Sequence, residues 1–275
     1  MLIDIISDLH LSHYRTGKNF NLLDFFRGLY SGHHVFSDIL VIAGDVDIKI
    51  PDVLEFLTKI KEFGGYKYIL YVPGNNELYM DEEDFSQFGS SYRKYNYLIR
   101  SVNSLSDQGI FALDGTFIEI EGYRFGGATM WYDGSYLKLK YTEEKAYKES
   151  LCRLSGACSV NNGYAVSERS TDLFAWQKQK MNKIVSKVDV FISHVGPIPE
   201  DDFLDPVYRS YDTNSFFAFD GREILKENKN LKVWISGHSH AVIDAYYYDT
   251  RFICNALGYP RENLSFRNKV KQFII

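Results

Sequence analysis

Five short, mainly apolar runs, each closed by a polar cluster, constrain this chain more than any other feature. They are Leu2–Ile6, Ile39–Ala43, Tyr68–Val72, Val188–Ile192 and Leu231–Ile235. Runs of this length and composition suit strands covered on both faces. Two helical patterns separate the first three. One spans Leu22 to Tyr30 and is broken by Ser31-Gly32; the other opens at Pro51 and places Val53, Leu54, Phe56, Leu57 and Ile60 on one face. The order β-α-β-α-β predicts a parallel sheet with right-handed crossovers. Ligands of such sheets gather beyond the carboxyl ends of the strands.

The rest of the chain is less regular. Residues 85–105 read as partly helical, and 110–129 as a meander of short strands broken at Asp114-Gly115 and Glu121-Gly122. Residues 131–170 form a long excursion, read as a lid or substrate insertion with a short helix near Glu143 to Leu154. Helices are expected over 171–187 and around Phe216 to Glu227, and short strands at 243–248, 251–254 and 270–275. No repeat, low-complexity tract or linker divides the chain, so 1–275 is read as one domain.

The net charge of −5 gives no general attraction to a nucleic-acid backbone. Long nucleic acid is therefore a weaker candidate partner than a small molecule. Cys152, Cys158 and Cys254 are odd in number and form no C-x-x-C, which favours a reducing compartment. No apolar run approaches 18 residues, and the N-terminus enters a strand without a charged leader. A cytoplasmic protein with no membrane partner is the expectation.

The polar clusters that close the strands carry the chemistry. They are Asp8 with His10, Asp45, Asn75 with Asn76, His194, and His238 with His240. Singly, each has an ordinary reading as a cap, a turn residue or a solvated histidine. Jointly, they lie on one edge of the predicted sheet. Two carboxylates, an amide oxygen and four imidazoles suit manganese, iron, zinc or nickel better than calcium. Seven ligands are too many for one ion and enough for two that share a carboxylate. Two ions roughly 3.5–4 Å apart form the clamp used for in-line displacement at phosphorus.

These residues resemble the calcineurin-like metallophosphoesterase superfamily. The resemblance rests on Asp8-Leu9-His10, Gly44-Asp45, Gly74-Asn75-Asn76-Glu77, His194 and Gly237-His238-Ser239-His240, in the family's order. Asn255-Ala256-Leu257-Gly258-Tyr259-Pro260 is similar to an N-x-x-G-Y-P segment of many bacterial members. The resemblance implies an α/β (α+β) fold, a two-sheet β-sandwich flanked by helices. It implies two divalent ions, manganese first, with iron, zinc, nickel and magnesium as alternatives. Asp8, His10 and His240 would hold one ion, and Asn75, His194 and His238 the other, with Asp45 bridging. The implied reaction is hydrolysis of a phosphodiester or phosphomonoester by a metal-bridging hydroxide, with Asn75 touching a phosphate oxygen.

One position departs from the pattern. Asn76 stands where the family usually has a His that serves the leaving group, and an amide cannot give up a proton. Three accounts follow: a His→Asn change engineered to trap substrate, a natural enzyme whose leaving group needs little protonation, or a non-catalytic protein that sequesters a phosphorylated ligand. The substrate expected is a phosphorylated small molecule, a nucleotide or cyclic nucleotide. Trp131, Tyr208, Arg209 and Tyr211 are candidates to stack on its base or hold its phosphate, and His13 to reach the rim of the site.

Overall fold

The structure is a computed structural model that describes the chain except residues 16–19, 31–34, 142–159, 162–163, 206, 208–210 and 263–269. Two sheets form its middle. The first has the order β13-β1-β2-β3-β4, built from β1 (Leu2–Ile6), β2 (Ile39–Ala43), β3 (Tyr68–Val72), β4 (Ile110–Ala112) and β13 (Lys271–Ile274). Strands β1 to β4 run parallel and β13 closes one edge antiparallel to β1. The second has the order β11-β12-β10-β9-β6-β5, built from β5 (Thr116–Ile120), β6 (Tyr123–Gly127), β9 (Val190–Ile192), β10 (Val233–Ser236), β11 (Val242–Tyr247) and β12 (Thr250–Asn255). Its inner strands are parallel, and β5 and β11 are antiparallel edges. A small hairpin pairs β7 (Val160–Asn161) with β8 (Tyr164–Ala165).

Strand alternation explains the layering. Ile3, Ile5, Val41, Leu70 and Val72 turn inward and meet Phe125, Val190, Ile192, Ile235 and Ile253 of the other sheet. The opposite faces carry Ile6, Leu40, Ile42 and Ile69 on the first sheet, and Phe191, Trp234 and Phe252 on the second. Helices cover both. Phe26 of α2 (Leu22–Leu29), Val53, Phe56 and Ile60 of α3 (Ile50–Gly64), and Leu98 and Val102 of α5 (Ser91–Asn103) pack on the first sheet. Met181 and Ile184 of α7 (Ser170–Ile184) and Leu225 of α8 (Arg222–Glu227) pack on the second. Fully burying each such aliphatic side chain stabilises by roughly 1.5–3 kcal/mol. The expected helix-flanked two-sheet sandwich is what the chain forms.

Some expected elements differ in detail. Residues 110–129 do not form one meander: β4 joins the first sheet, whereas β5 and β6 pair in the second. The chain changes sheets at the Asp114-Gly115 turn, where Gly115 takes φ +69°. Phe216 is not in a long helix. It ends a 3-10 turn over Asp212–Phe216, and α8 begins after Gly221. Residues 85–105 divide into α4 (Glu82–Phe88), ended by Gly89 in the left-handed region, and α5, capped by the Ser90 side chain. Two short helices, α1 (Leu11–Tyr14) and α6 (Ser135–Lys140), complete the described α-helices. The helix expected near Glu143 to Leu154 lies outside the described residues. Among the described residues, no helix is long and apolar enough to cross a membrane.

Candidate metal centre

The seven expected ligands converge because β1, β2, β3, β9 and β10 all end on the same edge. Asp8 and His10 follow β1, Asp45 follows β2, Asn75 follows β3, His194 follows β9, and His238 and His240 follow β10. Backbone bonds hold these ends in register: Asp8 N–H donates to Gly44 O at 3.0 Å, His10 N–H to Asp45 O at 3.0 Å, and Gly237 N–H to His194 O at 2.9 Å. Asp8, His10, Asp45, His238 and His240 all have left-handed φ, between 43° and 68°. L-residues held there cost about 1–3 kcal/mol each, and such strain clusters where a fold commits side chains to a site. Glu77 binds the turns from beneath. Its buried carboxylate accepts from the N–H groups of Asp45, Val46 and Gly74 at 3.2, 2.8 and 2.7 Å. Burial, with Asp45 nearby, pushes its pKa up to about 7.

Two groups of ligand atoms result. Asp8, His10 and His240 offer one set within 4.8 Å of one another, and Asp45, His194 and His238 offer another. Asp45 lies between them, with Oδ1 3.3 Å from His194 Nε2 and Oδ2 3.8 Å from His10 Nε2. Asn75 joins the second group, its Oδ1 2.9 Å from His194 Nε2. Asp8 is fixed by Ser7 Oγ, which donates at 2.5 Å, and by the His238 backbone N–H at 2.9 Å.

The outer ring nitrogens test whether the group fits metal ions. His194 donates Nδ1–H to Ala43 O at 2.8 Å, His238 donates Nε2–H to Phe216 O at 2.7 Å, and His240 donates Nδ1–H to Glu262 Oε2 at 2.6 Å. Each bond fixes the tautomer that leaves the inner nitrogen as a lone-pair donor, the usual support of a metal-ligating histidine. Burial lowers the pKa of His10 and of His238 to about 4, so both rings are neutral, as ligands must be. Burial acts the same way on His194, but the Asp45 carboxylate outweighs it and raises the ring to about 9, so an ion bound there would displace the proton that Nε2 holds against Asp45. That carboxylate is itself held well below the usual range: burial opposes this, and His194 prevails. The donor set fits two ions.

The family model for calcineurin-like phosphoesterases matches residues 1–242. The chain belongs to the calcineurin-like phosphoesterase family. It is a phosphoester hydrolase by that membership, and the family uses divalent metal ions. Among solved structures, the chain is similar to a phosphopantetheinyl hydrolase from Mycobacterium tuberculosis, with 18% identity and a TM-score of 0.72 over 99% of this chain and 95% of that one. A putative 5'-nucleotidase from Staphylococcus aureus is more distant, with 12% identity and a TM-score of 0.41 over 92% of this chain and 48% of that one. No curated protein sequence matches.

The phosphoesterase places its remaining candidates unevenly. Asn76 is buried beside Asp45 and His10, its Nδ2 2.9 Å from His10 Nδ1. His13 is exposed at the rim, its ring 6.1 Å from that of His10 and 4.7 Å from that of Tyr259. Tyr211 is exposed at the start of the turn whose Phe216 carbonyl holds His238. Trp131 is a correction: its ring is only 2% exposed and packs against Leu78, Tyr95 and Leu173, so it offers no face for stacking. A Trp after a strand reads the same in sequence whether it faces a pocket or a core. Tyr208 and Arg209 lie outside the described residues.

Sequence reasoning gave no role to Tyr259, Glu262 or the Phe216 carbonyl. Tyr259 stacks on His10 with ring centres 4.5 Å apart and planes 25° apart. The N-x-x-G-Y-P resemblance pointed to its segment without a role. Glu262 and the Phe216 carbonyl have no spacing signal, because they reach the histidines across the fold.

Proposed function

We propose that this phosphoesterase hydrolyses a phosphodiester of a small molecule at a centre of two divalent ions, manganese in the first instance. Asp8, His10 and His240 would hold one ion, Asn75, His194 and His238 the other, and Asp45 both. The observation that carries this reading is the pair of ligand groups facing each other across Asp45. Bound divalent ions supply Lewis acidity, which lowers the pKa of water and neutralises charge growing on phosphoryl oxygens.

The chain's own residues do the positioning. Asn75 is half-buried and turns Oδ1 to His194, which keeps its Nδ2 donors for a phosphoryl oxygen. Asn76 gives no proton to the leaving oxygen, so a diester whose leaving group departs with little protonation reacts fastest. Cyclic nucleotides and nucleotide diesters are the small-molecule candidates, and their alkyl leaving groups depart slowly without that proton. A pantetheine phosphodiester joins them on the similarity in fold to a phosphopantetheinyl hydrolase. We place the activity in the cytoplasm on the cysteine usage.

The test is manganese-dependent hydrolysis of bis(4-nitrophenyl) phosphate, followed by a panel of cyclic and linear nucleotides and a pantetheine phosphodiester. Two bound ions without turnover of any phosphoester, by the protein or by its Asn76→His variant, would refute the enzyme reading. A second reading, a sequestering protein for a phosphorylated ligand, is favoured by Asn76, whose amide is committed to Asp45. Tight metal-dependent nucleotide binding, with no product from the protein or from its Asn76→His variant, would select it.

A further inference from the structure

The two halves of the centre are supported differently. His194 and His238 give their outer N–H to backbone carbonyls, Ala43 O and Phe216 O. His240 gives its outer N–H to a carboxylate, Glu262 Oε2, at 2.6 Å. The same oxygen accepts the Tyr259 N–H at 2.8 Å, and the Tyr259 ring lies flat on His10. This return segment is itself tied to the strand end that carries Asp8. Leu257 N–H donates to Ser7 O at 2.9 Å, Gly258 N–H to Asp8 O at 3.0 Å, and Asn255 Nδ2 to Ile5 O at 3.0 Å. One short stretch therefore touches all three members of the Asp8, His10 and His240 group.

An anionic acceptor fixes an imidazole more firmly than a neutral carbonyl and strengthens the lone pair on its far nitrogen. We infer that Glu262 is a positioning residue for metal binding, acting through His240 on the Asp8, His10 and His240 half of the centre alone. The inference rests on the two-metal reading above. Glu262→Gln is the informative change, because the amide oxygen still accepts from His240 and Tyr259 and only the charge is removed.

The experiment titrates metal-free protein and Glu262→Gln with Mn²⁺ by calorimetry, with ions counted by elemental analysis. The expected result is two ions in each protein, with one dissociation constant raised tenfold to a hundredfold in the variant. The other constant and the melting temperature of the metal-free protein stay unchanged. Superimposable titrations overturn the inference. So does an equal weakening of both ions together with a lower melting temperature, which marks a purely structural residue. If the unaltered protein binds only one ion, the two-metal reading fails, and Glu262 is still judged on whether that ion's constant shifts.

Discussion

Asn76 grips both carboxylate oxygens of Asp45: its backbone N–H donates to Oδ1 at 2.9 Å and its side-chain Nδ2 to Oδ2 at 2.6 Å. The residue in the family's proton-donor position is thus tied to the carboxylate that the two ions would share. Asn76→His separates the accounts of this position. If the missing proton limits turnover, the variant gains up to about 10²–10⁴-fold. The gain is larger for an alkyl leaving group than for 4-nitrophenolate, which departs unaided. If Asn76 serves mainly to orient Asp45, the rate stays flat or falls and metal content drops. Rates on the two diesters, normalised to bound manganese, decide between them.

Gly44 precedes Asp45 with φ +87°, and a Cβ there would lie 2.3 Å from His194 Nδ1 and 2.8 Å from the Gly74 backbone. Neither neighbour is a flexible chain end. Gly44→Ala is therefore expected to displace His194 from its bond to Ala43 O and to cost about 2 kcal/mol or more of stability. The denaturation midpoint of the metal-free protein and its Mn²⁺ affinity should fall together. A variant that binds manganese normally would show that the β2 and β9 ends can separate without harm to the site.

The candidate ligands were legible because their signal is local. A buried strand points its last residues past the sheet edge, so Asp8, His10, Asp45, His194, His238 and His240 could be read from five apolar runs and the residues after them. The sandwich was legible once the family resemblance was joined to that pattern. What supports the ligands was not. Glu262 meets His240 from a loop 22 residues on, Phe216 acts through a carbonyl, and neither leaves a trace in composition or period. The sheet change between β4 and β5 was missed because strand period is blind to which sheet a strand joins. Lys94 did leave a trace. It sits on the stripe of Ser91, Tyr95, Leu98 and Val102 that α5 buries, where a lysine is out of place unless paired.

Asp189 ties the start of β9, and so the His194 strand, to β6. Its carboxylate accepts the Arg124 backbone N–H at 3.0 Å and the Arg124 Nε–H at 3.1 Å. Burial pushes its pKa up, but these donors outweigh burial and hold it below the usual carboxylate value. A depressed folded pKa stabilises above the unfolded value, near 3.9, and that stabilisation is lost as the pH falls through the folded value. Asp189→Asn should cost about 1 kcal/mol at neutral pH. Its gap in melting temperature to the unaltered protein should hold from about pH 8 to 5 and close below about pH 4. A gap that widens in acid would contradict the assignment.

Lys94 is a clamp between two of the turns that carry candidate ligands. Its ammonium is fully buried and donates to Ile48 O at 2.9 Å, to Tyr79 O, and to Asp84 Oδ2 at 3.0 Å. Ile48 lies three residues past Asp45, and Tyr79 closes the turn that begins at Asn75 and Asn76, so this one cation sets the spacing of both turns. Lys94→Met keeps the packing volume of the stem and removes all three donors. Asp84 Oδ1 retains Lys49 at 3.2 Å, so the groups that lose the Lys94 donor are the two carbonyls and Asp84 Oδ2. An unsatisfied buried acceptor costs about 1–3 kcal/mol, which puts the expected loss near 3 kcal/mol. Because the carbonyls belong to the turns that place Asp45 and Asn75, manganese affinity should fall with stability. Lys94→Arg, which keeps the charge but replaces a point donor with a planar fork, should recover only part of either. Denaturant midpoints and Mn²⁺ titrations on both variants test this. A Lys94→Met protein that loses stability but binds manganese with unchanged affinity would confine Lys94 to the core and remove it from the support of the site.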